Sequence, residues 1–453
     1  MAQRKRHTGW KAVALGLTLS LLLSGCSFTG LDARSLMRPP KPTGEKANIY
    51  NLLEEKAGRN FTLKYPASGD YRSAIIQYNL CGDFTQEALA FYQRGDNDTT
   101  VNLLFTQKVN GKWKDIGTFS TPGAQVDHVC FGDMNGDGVD EVIVGWGSSA
   151  SSANTVSIYY YQNQKMNELK VDQSYSGMSV MDFDGDGKKE LLTVDIPTDI
   201  QQPLTAQLFR MQGSALQLMG STRMEAGIVK LSNLKEGNVS AKQPGVLLDC
   251  VQTSGKTLSE LLYWNKAKKT LTAPLYSAQS PQQNVTMRDV AISSCDINND
   301  RIIEFPIVTR LPGYVGVSSD DVGSETQWIQ FNSASGNYST AASMIFNSRD
   351  GYSITLPDKW KNAITTRQDV GARTLTVSSF NVSGGTVGKA LLVAQVFTQS
   401  EWNAKEKTKG FEQVLSDGSL VVAISCPTPS DPLAVPAAQL KKCFQFITTD
   451  SST

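Results

Sequence analysis

The sequence predicts a mainly β chain of repeated antiparallel units, followed by a smaller α+β segment. Three observations carry that prediction. A loop of the form D-x-[D/N]-x-D-x-x-x-E occurs three times, each copy followed by an apolar run. Five hairpin-like stretches recur through residues 61–346. After about Arg349 the pattern changes, and strand and helix signals begin to alternate.

The hairpins run from Leu103 through Asn110-Gly111 to Trp113, and from Val156 through Gln162-Asn163 to Leu169. The next two run from Leu208 through Gln212-Gly213 to Leu218, and from Leu261 through Asn265-Lys266 to Leu271. The last runs from Trp328 through Ser333 to Tyr338. Each sets β-branched or aromatic residues around turn formers, the short-range signal for an antiparallel pair. Turns near 110, 162, 212 and 265 stand 52, 50 and 53 residues apart, and the step to 334 is longer. That period fits the blades of a β-propeller. Five units, three of them carrying the acidic loop, is the simplest count. Phe61 to Leu80 and the long final interval leave room for six or seven.

The acidic loops are Asp133 to Glu141, Asp182 to Glu190 and Asp296 to Glu304. Oxygen-bearing side chains at alternate positions converge usefully only around a cation. Hard oxygen donors without His or Cys select calcium over zinc or copper. These are not EF-hands, which need a bidentate glutamate at position twelve and flanking helices. Here position twelve is Val144, Thr193 or Ile307, the acid falls at position nine, and the following runs (Val142-Ile143-Val144, Leu191-Leu192-Thr193-Val194, Phe305-Pro306-Ile307-Val308) read as buried strands. By phase, degenerate copies should lie near 83, where Asp83 to Glu87 keeps some acidity, and near 233, where Ser232 to Lys235 keeps almost none.

A nine-residue acidic loop joining strands in repeated units resembles the integrin-type FG-GAP/VCBS repeat, with Phe131-Gly132 before the first loop adding to the likeness. The resemblance implies an integrin-like β-propeller of about five to seven blades over residues 47–348. It also implies the ligands: side chains at positions one, three and five, a carbonyl at seven and a carboxylate at nine. These are Asp133, Asn135, Asp137, Val139 and Glu141; Asp182, Asp184, Asp186, Lys188 and Glu190; and Asp296, Asn298, Asp300, Ile302 and Glu304. Position six needs a positive φ, which Gly138 and Gly187 supply and Arg301 does not. Two calcium ions are therefore expected, with a third depending on Arg301.

Residues 1–26 read as an export signal: basic Arg4-Lys5-Arg6, an apolar stretch from Ala12 to Leu23, then Leu23-Ser24-Gly25-Cys26. That ending resembles the bacterial lipobox, which implies lipidation of Cys26 and anchoring to the bacterial membrane on the outer side of the cytoplasm. Residues 27–46, with Pro39-Pro40-Lys41-Pro42, read as a stiff tether. Without Arg4, Lys5, Arg6 and Lys11, 39 basic residues remain against 43 acidic ones, a net of −4, so nucleic acid is not an expected partner. Six cysteines beyond Cys26 allow 15 pairings. Cys426 with Cys443 is the expected bond, inside the 349–453 domain, while Cys81, Cys130 and Cys295 sit close before loops and suit buried thiols as well as bonds. That domain is read as strands at Tyr352 to Leu356, Ala372 to Phe380, Ala390 to Phe397 and Leu420 to Ile424. A helix capped by Ser400 and a closing helix from Pro436 to Ile447 complete it.

Catalytic constellations are scarce. Past the signal there is one histidine, His128; no G-x-S-x-G elbow occurs; and Gly255-Lys256-Thr257 lacks the upstream glycine of a phosphate loop. Arg94-Gly95-Asp96 reads as a turn, and Tyr159 to Tyr161, Tyr263-Trp264 and Trp328 read as strand packing ahead of a sugar-stacking face. The functional expectation is a lipid-anchored, calcium-stabilised, non-enzymatic binding or adhesion module for an envelope glycan or protein. Two alternatives stand beside it: a hydrolase using propeller carboxylates, and a scaffold presenting the C-terminal domain.

Overall fold

The computed structural model describes residues 43–83, 85–95, 98–148, 153–277, 284–313, 323–405 and 408–447. The expected signal peptide, Cys26 and nearly all of the tether lie outside these, as do Phe84 and Asp96. The chain divides into two units, one up to Lys56 and one from Ala57 onward. The first contributes most of a helix, Glu45–Ala57, which buries Ile49 and Leu53 at the i, i+4 spacing of one helical stripe.

The second unit is mainly β, with six antiparallel sheets succeeding one another along the chain. The second, third and fourth sheets are four-stranded meanders in strict sequence order, spanning 124–175, 177–226 and 228–272. In the first sheet two short strands, Phe61–Leu63 and Ile75–Tyr78, share the same edge of Glu87–Arg94. The central strands are unbroken apolar runs because each is buried on both faces. Val142 and Val144 face a cluster with Leu89, Phe91 and Leu103 of the first sheet, while Ile143 faces Leu191 and Phe209 of the third. Leu192 and Val194 then meet Val246 and Leu248 of the fourth sheet, and Leu247 meets Phe305 and Ile329 of the fifth. A fifth cluster, including Ile345, Ile354, Val377 and Val422, joins the fifth sheet to the sixth. Five clusters thus stack six sheets face to face in series, a propeller-like arrangement.

All five hairpins form. Asn110-Gly111 (φ +50° and +78°) and Asn163-Gln164 (+56° and +62°) have the paired positive φ of type I′ turns, which match the twist of the flanking strands. Ser232 to Lys235 is not a loop at all. It lies inside the 13-residue strand Ile228–Ser240, which turns directly at Ala241-Lys242 into Gln243–Gln252.

Residues 349–447 carry less helix than the sequence pattern suggests. Thr398, not Ser400, caps the short helix Gln399–Ala404, through a reciprocal box with Glu401. The expected helix from Pro436 to Ile447 stops after Ala437–Leu440 and a 3₁₀ turn. Phe444–Phe446 instead pairs with Tyr352–Thr355, and the Phe444 ring stacks 5.8 Å from that of Tyr352. Since Tyr352–Thr355 pairs with Asn337–Asn347, two strands of this segment extend the fifth sheet, and five more, between 364 and 425, make the sixth. The expected Cys426–Cys443 bond is not formed. Both are free thiols bordering the same cluster, and the Cys443 thiol lies 3.6 Å from the Gln439 carbonyl.

Candidate metal centres

Four loops, not three, share one register. In each, the residue before position one pairs across the ladder with the glutamate at position nine: Gly132 with Glu141, Met181 with Glu190, Cys295 with Glu304, and Tyr78 with Glu87. The degenerate copy near 83 therefore starts at Asn79. Cys81 sits at its position three rather than ahead of it. The spacing from Asn79 to Glu87 was the available signal; an asparagine at position one and a cysteine at position three concealed it.

Asx-type hydrogen bonds shape each loop. The position-one carboxylate accepts backbone N–H bonds from inside the loop: Asp133 from Gly136 (2.6 Å) and Gly138 (2.9 Å), Asp182 from Gly185 (2.5 Å) and Gly187 (3.0 Å). Asp296 accepts from Asp300 (3.1 Å) and Arg301 (2.8 Å). Asn135, Asp184 and Asn298 each accept from the amide two residues on, at 2.8, 3.1 and 3.0 Å. Asp137, Asp186 and Asp300 do the same to the amides of Val139, Lys188 and Ile302, at 2.8, 2.9 and 2.9 Å, which orders the peptides expected to offer carbonyls. Arg301 does not prevent the turn. It takes φ +72°, with Asn299 at +61°, where the other loops have glycines at +83° and +85° or +68° and +94°. A Cβ at Gly136 would also meet Lys188 Cε of the next loop at 2.5 Å, which the flexible end of that lysine could relieve by moving.

The glutamates are the buried members. Glu141, Glu190 and Glu304 each accept the amide of position two, from Met134 (2.7 Å), Phe183 (2.9 Å) and Ile297 (2.9 Å). Burial, opposed by those bonds, pushes Glu141 and Glu190 up to about 7 and raises Glu304. A buried carboxylate facing other carboxylates is the environment a divalent ion relieves. Two clusters can hold a metal ion: oxygens of Asp182, Asp184 and Glu190 lie within 4.8 Å of one another, and so do those of Asp296, Asp300 and Glu304. In the Asp133 loop the Asn135 amide bridges Asp137 (3.0 Å) and Glu141 (2.5 Å).

Side chains on the neighbouring strand, invisible to the motif, also reach the loops. Arg210 Nη2 lies 2.9 Å from Asp184 Oδ2. Gln330 Nε2 donates to Asp300 and Glu304, both at 2.6 Å, and Gln107 Nε2 to Asp83 at 3.3 Å. In the degenerate loop the Thr85 hydroxyl stands between Asp83 Oδ1 (2.6 Å) and Glu87 Oε1 (2.7 Å) and can give its one proton to either, while the Thr85 amide donates to Asp83 (3.1 Å) and the Leu80 and Cys81 amides to Glu87 Oε2 (2.9 and 3.2 Å).

His128 is half-buried over Gly69, with Nδ1 3.2 Å from Ser68 Oγ, and burial lowers its pKa. The Asp127 carboxylate instead accepts from Tyr175 (2.5 Å) and Asn154 (3.1 Å), so it does not orient His128 as a triad carboxylate would. Tyr159, Tyr263, Trp264 and Trp328 are buried. Among the described residues no helix is long and apolar enough to cross a membrane.

No family model matches the chain, and no curated protein matches it. Among solved structures it is similar to a periplasmic gluconolactonase of Pseudomonas aeruginosa, at 13% identity over 74% of this chain and 95% of that one, with a TM-score of 0.29. A rhamnogalacturonan lyase of Bacillus licheniformis gives 12% identity, 83% and 90% coverage and a TM-score of 0.30. A putative 6-phosphogluconolactonase from Bacteroides uniformis gives 13%, 72% and 86%, and 0.30. Similarity at that level says nothing about activity; the propeller-like description rests on the sheet topology.

Proposed function

We propose that the protein is a calcium-stabilised β-propeller, of the FG-GAP/VCBS type and six blades, that serves as a non-enzymatic binding module of the bacterial envelope, held to the membrane by lipid on Cys26. The observation that carries the calcium reading is the common loop register, which brings each buried glutamate together with two half-buried or exposed aspartates in two clusters. Asp182, Asp184, Asp186 and Glu190 are the residues that would hold one ion, Asp296, Asn298, Asp300 and Glu304 another, and Asp133, Asn135, Asp137 and Glu141 a third. Hard oxygen ligation suits an ion that fixes loop shape and carries no redox chemistry. The binding reading draws on the lipobox-like signal ending in Cys26. A glycan or a protein of the envelope is the partner class.

Thermal unfolding of the mature protein in millimolar calcium and in chelator tests the metal. Calcium should raise Tm by mass action, and Asp184→Asn with Asp186→Asn should shrink the shift. No shift at millimolar calcium removes the assignment. For the anchor, metabolic labelling with an alkyne fatty acid should mark the wild type and leave Cys26→Ala unmarked.

A further inference from the structure

A cleft of about 520 Å³ opens between the Asn79 loop and the Asp133 loop, lined chiefly by Gln77, Tyr78, Asn79, Thr85, Gln86 and Asp140. We propose that this cleft binds a neutral saccharide, a proposal that rests on the binding-module reading and names its ligand class. The wall offers carboxamides, hydroxyls and one carboxylate beside the Val139 side chain and two glycines, and neither Lys nor Arg is among the lining residues. An anionic ligand would find no counter-charge there, whereas ligand hydroxyls would meet both donors and acceptors. The volume suits one or two sugar rings, within the roughly 300–1,000 Å³ of ordinary ligand sites.

The polar groups are held ready. Tyr78 donates its hydroxyl to Asp140 Oδ2 at 2.5 Å, joining the two loops across the cleft. Its ring stacks on Phe131 at 3.8 Å and 10°, with Tyr71 edge-on to both. The second Asp140 oxygen and the side-chain amides of Gln77 and Gln86 have no hydrogen-bond partner among the described residues, yet Gln77 and Asp140 are half-buried. Gly82 (φ +72°) closes one end, where a Cβ would meet Val139 Cγ2 at 2.8 Å. Asp83 and Glu87 on this side accept backbone amides of Thr85, Leu80 and Cys81, so these two carboxylates have donors without a cation. Little ordering is left to offset binding.

Saturation-transfer NMR on the mature protein in millimolar calcium tests the site, with glucose, galactose and N-acetylglucosamine and their disaccharides as probes, and glucuronate and glucosamine as charged controls. At least one neutral sugar should give transfer. Gln86→Ala, an exposed change, should weaken its affinity about tenfold, as loss of one ligand hydrogen bond does; Gln77→Ala should do the same with Tm unchanged. Absence of transfer from every neutral probe, preference for glucuronate, or affinities untouched by both variants overturns the proposal. Such a failure with the calcium-dependent Tm shift intact removes the saccharide alone; loss of that shift as well removes the parent reading.

Discussion

Arg210 and Asp184 form an ion pair at 2.9 Å, from a strand position one residue past the Leu191–Phe209 ladder pair and so across from the loop residue Glu190. A guanidinium stands beside the carboxylate expected to ligate a divalent ion, and the two cations would compete. The pair is partly exposed, with Arg210 41% accessible, so it is worth about 0.2–1 kcal/mol. Arg210→Gln should therefore strengthen calcium binding at this loop two- to fivefold. Calorimetric titration of the variant checks this; unchanged or weaker binding there would show that Arg210 does not oppose the metal.

Arg301 bears the backbone strain that glycine avoids in the neighbouring loops, at φ +72°. Arg301→Gly should relieve about 1 kcal/mol, less the entropy glycine adds to the unfolded chain. Urea unfolding in chelator should then give a midpoint equal to or above that of the wild type. A clear fall in midpoint would mean that the arginine side chain contributes contacts outweighing its strain.

The sheets were largely legible because two-sided burial writes itself as unbroken apolar runs. Val142-Ile143-Val144 and Leu191-Leu192 are strands by sequence and central strands by structure. The three acidic loops were legible for a similar reason, since every acidic or amide side chain of the motif lies within nine residues. What escaped was non-local. Asn79 was missed because its aspartate equivalents carry the motif, and its frame appears only when Tyr78 pairs with Glu87. Gln107, Arg210 and Gln330 reach the loops from 24 to 30 residues away, a relation set by strand register alone. Phe444 shows the opposite error: a helical apolar spacing near the C-terminus yields to a ladder with Tyr352–Thr355 that no local pattern announces.

Arg288 and Asp249 form a fully buried ion pair at 2.8 Å, with Ser259, Ser294 and the carbonyls of Thr286 and Ile292 satisfying the remaining sites. The network holds residues 284–294, which lead into the Asp296 loop without a ladder of their own beyond single bridges at Arg288 and Cys295. Removing one partner strands the other charge. Arg288→Met should cost about 3–5 kcal/mol in urea unfolding, and should weaken calcium at the Asp296 loop more than at the Asp182 loop. A loss below about 1 kcal/mol would show that the segment is held by other contacts.

Glu260 is buried in the fourth sheet, accepts the Glu225 amide at 3.2 Å through one oxygen, and has no hydrogen-bond partner for the other among the described residues. Burial, reinforced by the Glu225 carboxylate, pushes it up to about 8, and burial raises Glu225 too. The folded chain therefore holds this proton at pH values where the unfolded chain has released it. Stability from Glu260 is present below the ordinary carboxylate range and falls as pH rises from about 4.5 to 8, by at most about 1.4 kcal/mol per pH unit. Glu260→Gln keeps the shape and removes the titration, so its unfolding free energy should decline less steeply across that window and exceed the wild type's at pH 8. Parallel slopes for the two proteins between pH 5 and 8 would exclude a protonated Glu260 in the core, and would require a cation or water to satisfy its second oxygen.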